Sequence, residues 1–204
     1  MTLIEVLMVI GVVCVLAALA LTGTGRGRAS RINCINVQKQ VSLAFLIWAG
    51  DNDERFPMHV STNMGGTMEL VSAGSPIPHF LVMSNELNTP KTLWCPADSN
   101  RIPVLTFQAK MGSSNVSYFL GVDAVGTHPE SILIGDDHLA MGGRPVKSGR
   151  LEVTTNSALS WRQERHVFAG NVAMADGSVS SIDTTGLRLL LNQTGMLTNR
   201  LAMP

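Results

Sequence analysis

MTLIEVLMVIGVVCVLAALAL, residues 1–21, carries one charged side chain, Glu5, and from Val6 to Leu21 no polar side chain at all. A membrane span takes roughly 20 largely apolar residues, a length this stretch just meets. Three readings compete. A cleaved signal peptide would use Ala18-Leu19-Ala20 as its small-residue site, yet no positive charge precedes the apolar core. An ordinary signal anchor would, by the positive-inside rule applied to Arg26, Arg28 and Arg31, hold the remainder of the chain in the cytoplasm. It would also leave Glu5 in hydrocarbon, where an unpaired carboxylate costs several kcal/mol.

The third reading rests on Thr2-Leu3-Ile4-Glu5-Val6-Leu7. This stretch resembles the amino terminus of mature type IV pilins and type II secretion pseudopilins, in which an N-methylated residue, usually Phe, precedes Thr-Leu-Ile-Glu and an apolar helix. Met1 stands where the family has Phe. The resemblance implies processing and methylation at Met1. It also implies a role for Glu5 in assembly, its carboxylate meeting the amino group at Met1 of a neighbouring subunit so that two groups costly in hydrocarbon pair and set the register.

Beyond Leu21, Gly23, Gly25 and Gly27 fall within five residues, and each costs about 1 kcal/mol relative to Ala in a helix interior. They mark either a hinge that extends in a filament or a plain linker. From residue 28 the pattern turns amphipathic, with Ile32, Val37, Val41, Ala44, Phe45 and Trp48 at spacings of three to five. Gly50 and Asp51-Asn52 supply the stop. A continuous helix over residues 1–49 would extend about 75 Å.

The 204 residues hold 15 Lys and Arg against 15 Asp and Glu, and 45% are apolar. Zero net charge argues against nucleic-acid binding, and the apolar fraction against disorder. The balance is uneven along the chain. Residues 1–25 hold one acid, residues 26–50 four bases and no acid, and residues 51–204 hold 11 bases and 14 acids.

Residues 51–204 are turn-rich with short strand patterns at 115–120 and 131–134, and a segment at 186–192 that reads as a short helix or strand. The clearest hairpin is Asn171–Ile182, whose Asp176-Gly177 pair suits a two-residue turn with both residues at positive φ. His166, nine residues and Asp176-Gly177 are similar to the H-X9-DG element of prepilin-type proteins. Cys34-Ile-Asn-Val-Gln-Lys-Gln40, Ala49-Gly-Asp-Asn52 with Phe56-Pro57, and Cys95-Pro96 look similar too. His166 is read as bonding backbone near the Asp176 turn and fixing the hairpin, the alternative being a metal or acid/base pair with Asp176.

Cys14 reads as a small buried hydrophobe. Cys34 and Cys95 would both be exported in a pilin, so the resemblance implies a disulfide stapling head to helix, against two free thiols. Neither a CxxC nor a zinc spacing is present. Asp51-Asn-Asp-Glu54 and Asp136-Asp-His138 read as solvated acidic loops without calcium-loop spacing.

The resulting expectation is an α+β, pilin-like fold: a long amino-terminal α-helical spine, apolar in its first half, packed on an antiparallel β-sheet head. Its divisions are residues 1–27 (apolar helix with hinge), 28–50 (stalk) and 51–204 (head). The expected function is a non-enzymatic subunit, without cofactor or metal, that polymerises with itself into a type IV pilus-like filament. Prepilin peptidase and an inner-membrane assembly platform would be its partners, with an inner-membrane location before assembly and an extracellular one after. The alternatives are a periplasmic pseudopilin, or a membrane-anchored periplasmic enzyme or metal-binding protein.

Overall fold

The buried side chains of residues 34–49 are Cys34, Gln38, Val41, Ser42, Ala44, Phe45, Trp48 and Ala49, a spacing that turns one face of a helix inward. In the computed structural model, which describes residues 2–21, 26–107 and 110–204, that helix is α2 (Arg26–Gly50). It ends where Asp53 and Glu54 take left-handed φ of 54° and 58° and the Glu54 N–H bonds the Ala49 carbonyl at 2.9 Å, capping one of the last free carbonyls.

The head contains strands β1 (Tyr118–Gly121), β2 (Ile132–Asp136), β3 (Leu139–Met141), β4 (Arg144–Pro145), β5 (Gly149–Thr154), β6 (Leu159–Trp161), β7 (Ala169–Met174), β8 (Val179–Asp183) and β9 (Thr198–Met203). Six of them form an antiparallel sheet in the order β5-β9-β1-β2-β7-β8, and three form a second in the order β4-β3-β6. Helix α2 packs on β2, β7 and β8.

Period-two alternation gives the large sheet two faces. On one, Leu120, Ile134 and Ala173 meet Val41, Phe45 and Trp48 of α2. Phe45 makes edge-to-face contacts with Phe56 at 5.8 Å and Phe80 at 6.1 Å, each fully buried ring being worth about 2–3 kcal/mol. On the other face, Phe119, Val172 and Leu201 join Trp161 and the inward side of α5 (Thr184–Gln193) through Leu187 and Leu191. Asp183 caps α5, its carboxylate accepting from the Gly186 N–H at 2.7 Å. Gly170 permits the close stacking of Trp161 on β7, since a Cβ there would lie 2.5 Å from the indole.

The expected architecture requires correction. The helical region is described as α1 (Leu3–Leu21) and α2, each with its own bounds, and not as one long apolar spine. Gly23 and Gly25 of the expected hinge lie outside the described residues, whereas Gly27 falls inside α2. The head is two sheets with short α- and 3-10 helices between residues 57 and 115, including α3 (Ile77–Leu81) and α4 (Ser84–Leu87). β4 holds only two residues and ends on Pro145, which cannot donate to a further ladder. Together α2 and the two sheets make a mixed α+β fold.

His79 of α3 is fully buried, its Nδ1 2.6 Å from the Thr67 hydroxyl. Burial, aided by repulsion from His59, lowers its pKa to about 4. A group depressed in this way contributes stability that is complete above its unfolded value near 6.5 and lost as pH falls toward 4. Replacing His79 by Gln should therefore flatten the urea-unfolding profile between pH 6.5 and 4. The flattening should be on the order of 2 kcal/mol; identical slopes in the two proteins would refute it.

Candidate functional site

The alternation that sorts the sheet into two cores also places polar residues on the face beneath α2. Asp136 follows Ile134 by two positions, Asn171 precedes Ala173 by two, and Tyr118 sits opposite Asp136 in the β1–β2 register. Along α2, Cys34 and Gln38 precede Val41 on the same inward stripe. The polar end of the helix stripe thus meets the polar ends of three strands.

There Cys34 is joined to Cys95 by a disulfide, with Cα atoms 5.4 Å apart, and Tyr118 packs against the pair. His166 brings its Nε2 to 3.8 Å from the Cys95 sulfur and 3.5 Å from Asp136 Oδ2. The sulfurs of Cys34 and Cys95 and the nearest His166 nitrogen lie within 4.8 Å of one another, and all three residues are buried. Asp136 accepts from the Asn171 backbone N–H at 2.8 Å and from Gln38 Nε2 at 3.2 Å. Several buried polar atoms on this face have no partner: Gln38 Oε1, both side-chain amide atoms of Asn171, and the Tyr118 hydroxyl.

A second layer of charge adjoins this cluster. Arg165 binds both Asp137 and Asp98, the latter at 3.1 Å, and donates to the Ser117 carbonyl at 2.9 Å. Arg101 also pairs with Asp137, and Ser117 donates to Asp98 at 2.8 Å. Burial raises the Asp136 pKa to about 7 despite the opposing pull of Arg165. Burial lowers that of His166 to about 4, with help from Arg31 and Arg165, so the imidazole is neutral at physiological pH. It also lowers His138 to about 3, Arg165 again contributing, and raises the Tyr118 phenol. A neutral imidazole with a free lone pair is the form that binds metal.

His166 is held by the Arg31 guanidinium, which donates to its carbonyl at 2.5 Å. The two residues after it are in the left-handed region, Val167 at φ 54° and Phe168 at φ 57°. For a β-branched residue that conformation is an outlier of order 1–3 kcal/mol. Both side chains are largely exposed, so their burial does not offset it. The strained turn places His166 beneath α2 while the chain enters β7 only three residues later.

The sequence-predicted residues are dispersed. Met1 lies outside the described residues. The Glu5 carboxylate accepts from the Thr2 backbone N–H at 2.7 Å, half of a capping box in its own helix. Asp176 and Gly177 occupy the β7–β8 turn, where Gly177 alone has positive φ, 83°. The Gly177 N–H bonds Met174 and the Met174 N–H bonds Ser178, a three-residue loop ending in a left-handed glycine. Asp176 caps that turn through the Ser178 N–H at 2.8 Å. His166 instead joins Cys34 and Cys95. Asp136-Asp137-His138, read from sequence as a solvated loop, is buried on three different partners: His166, the arginines, and Trp161 at 5.1 Å between ring centroids. Cys14, read as buried, is exposed.

Comparison with family models, with curated proteins and with solved structures finds no match to this chain. Membership of the pilin family therefore has no support beyond the short motifs. Among the described residues no helix is long and apolar enough to cross a membrane; α1, with 19 residues, rises about 28 Å against a hydrocarbon core near 30 Å. The expected inner-membrane insertion, peptidase and platform partners, surface filament and pseudopilin alternative all rested on such a span, and they are withdrawn. The expectation of a non-enzymatic chain rested on the lack of a nucleophile with a partner at a recognisable spacing beside His166 and Asp176. The fold corrects that premise by bringing Cys34, Cys95 and Asp136 to the His166 ring.

Two outcomes follow. Val167→Gly should raise unfolding stability by about 1 kcal/mol, because glycine adopts this φ without strain; an unchanged or lower midpoint in urea would argue against strain there. Cys34→Ser with Cys95→Ser should cost about 2–4 kcal/mol, given the 61-residue separation, and a melting temperature indifferent to both would contradict it.

Proposed function

We propose that this chain is a metal-binding domain whose site is opened by reduction of Cys34–Cys95. The supporting observation is the convergence of two buried sulfurs and one imidazole nitrogen within 4.8 Å. A disulfide sulfur is a poor ligand and a thiolate a strong one, so the crosslink and the metal are alternative occupants of one place. An external thiol or phosphine reductant supplies two electrons, the S–S bond breaks, and each sulfur takes a proton. Metal binding then releases those protons as Cys34 and Cys95 bind as thiolates.

The donor set of two sulfurs and a neutral imidazole suits zinc-class divalent ions. In a tetrahedral zinc site, sulfur and nitrogen ligands stand about 3.6 Å apart, close to the 3.8 Å between Cys95 and His166. Asp136, at 3.5 Å from the same nitrogen, is the side chain placed to complete the set. The unpartnered atoms of Tyr118, Gln38 and Asn171 make this face polar enough to admit an ion and its hydration.

Anaerobic titration of the phosphine-reduced protein with cobalt(II) tests the reading. One equivalent should develop thiolate-to-cobalt charge transfer and tetrahedral visible bands, displaced by zinc. Oxidised protein, Cys34→Ser and His166→Ala should each lose the one-to-one signal. Reduced, folded wild type that shows no thiolate band would overturn it.

A further inference from the structure

β5 ends the six-stranded sheet and has a neighbouring strand on one side only. Which of its backbone groups face the open side follows from β9. Arg200 spends both of its own toward β1: its N–H bonds Asp123 Oδ2 at 2.7 Å, and its carbonyl accepts from the Val122 N–H at 3.0 Å. In an antiparallel ladder these directions alternate, so Asn199, Leu201 and Met203 bond their opposites Val153, Leu151 and Gly149. Arg150, Glu152 and Thr154 therefore turn their N–H and C=O groups outward. Thr154 uses both in its own turn, with Ser157 Oγ at 2.9 Å and the Ser157 N–H at 3.0 Å. The backbone groups of Arg150 and Glu152 have no such partner among the described residues. Gly74 comes up against the Arg150 nitrogen, and a Cβ there would stand 2.3 Å from it, so the glycine leaves that N–H without a covering side chain.

Period-two alternation puts the Arg150 and Glu152 side chains on one face, 45% and 53% exposed, where they pair with each other at 2.9 Å. Glu152 stands opposite Arg200 in the β5–β9 register, and Arg200 in turn grips Asp123. Acid and base thus alternate across the sheet, and the row stops at the open edge on an acid. Edge strands are ordinarily guarded by a proline, a bulge or charges that repel a copy. β5 has no proline and pairs without a register shift, and its two outward-paired residues carry opposite charges.

We infer that β5 pairs antiparallel with β5 of a second copy, about a two-fold axis at Leu151. Arg150 of each copy then lies opposite Glu152 of the other, and each such pair exchanges both of its backbone hydrogen bonds and sets acid against base. The register is unique. A centre at Arg150 or Glu152 sets like charges opposite, and a centre at Val153 calls on Thr154, whose groups are taken. On the other face Leu151, which packs beside Leu201, meets its own equivalent. The same patch serves both copies, so the assembly closes as a dimer. A single strand pair buries less than a standard interface, which makes the dimer an exchanging one. The cysteines take no part in it.

Sedimentation velocity of the full chain in its disulfide form should show concentration-dependent dimerisation that weakens with added salt. Glu152→Arg and Arg150→Glu, both at exposed positions, should each fold normally and lose self-association by about tenfold or more, because each sets like charges opposite at both pairs. Mixing the two variants should restore it, since each then meets the opposite charge; a folding defect is not rescued by mixing. A wild type that stays monomeric, either variant associating as wild type does, or a mixture no tighter than its components would each overturn the pairing.

Discussion

Helix α2 and the head are tied together by one covalent constraint and the polar groups gathered around it. Cys34 lies on the helix and Cys95 in the turn-rich segment before β1, 61 residues away, so their crosslink closes a loop that includes every short helix between residues 57 and 93. Those short helices have little internal hydrogen bonding and would be marginal alone. Fixing both ends of the segment removes much of the unfolded chain's freedom. The aromatic core around Phe45, Phe56 and Phe80 then packs inside a loop that is already closed.

The same constraint explains why so much charge tolerates burial. Asp98, Asp137, Arg101 and Arg165 neutralise one another in a contiguous network, and that satisfies charges which would each be prohibitive alone. Asp136 is the acid left over. With the arginines shared by its neighbours, its carboxyl relies on an amide and a backbone N–H, and burial dominates its pKa. A carboxyl with a raised pKa beside an imidazole with a lowered one is an arrangement in which neither group is fully charged near neutrality. Such pairs are characteristic of sites that exchange protons or ligands.

The fold was legible where periodicity is strong. The inward stripe of α2 from Val41 to Trp48 and the strands beginning near Tyr118 and Ile132 follow from spacing read locally, whereas Ile32, read into the same stripe, is exposed and Cys34 and Gln38 are buried in its place. A turn at Asp176-Gly177 was legible, but not its three-residue form with Gly177 alone at positive φ. The division of the head into two sheets was not legible, because it depends on which strands pair across long separations. Local alternation is the same in either sheet. The site was less legible still. Cys34, Cys95, Asp136 and His166 share no spacing, since they are assembled by β-pairing and a helix face. The run Asp136-Asp137-His138 looked like solvent-facing polarity because sequence shows composition and not direction: in a strand and its exit, successive residues point to opposite sides. The one local hint at His166 was Val167-Phe168 before a glycine-containing strand, and nothing in those residue types announces a left-handed backbone.

Closure by metal and closure by disulfide make the same topological demand on the fold. Either one joins α2 to the head near His166, so the loop-closure contribution is retained in both, and the reduced, metal-free form is the one that loses its anchor. The strain at Val167 and Phe168 fits this arrangement. In the disulfide form the turn sets His166 Nε2 3.5 Å from Asp136 and its carbonyl against the Arg31 guanidinium. In the proposed metal-bound form the same turn would hold the third ligand in place while the covalent bond is absent, so the conformation of these two exposed residues bears on the buried pair in both states.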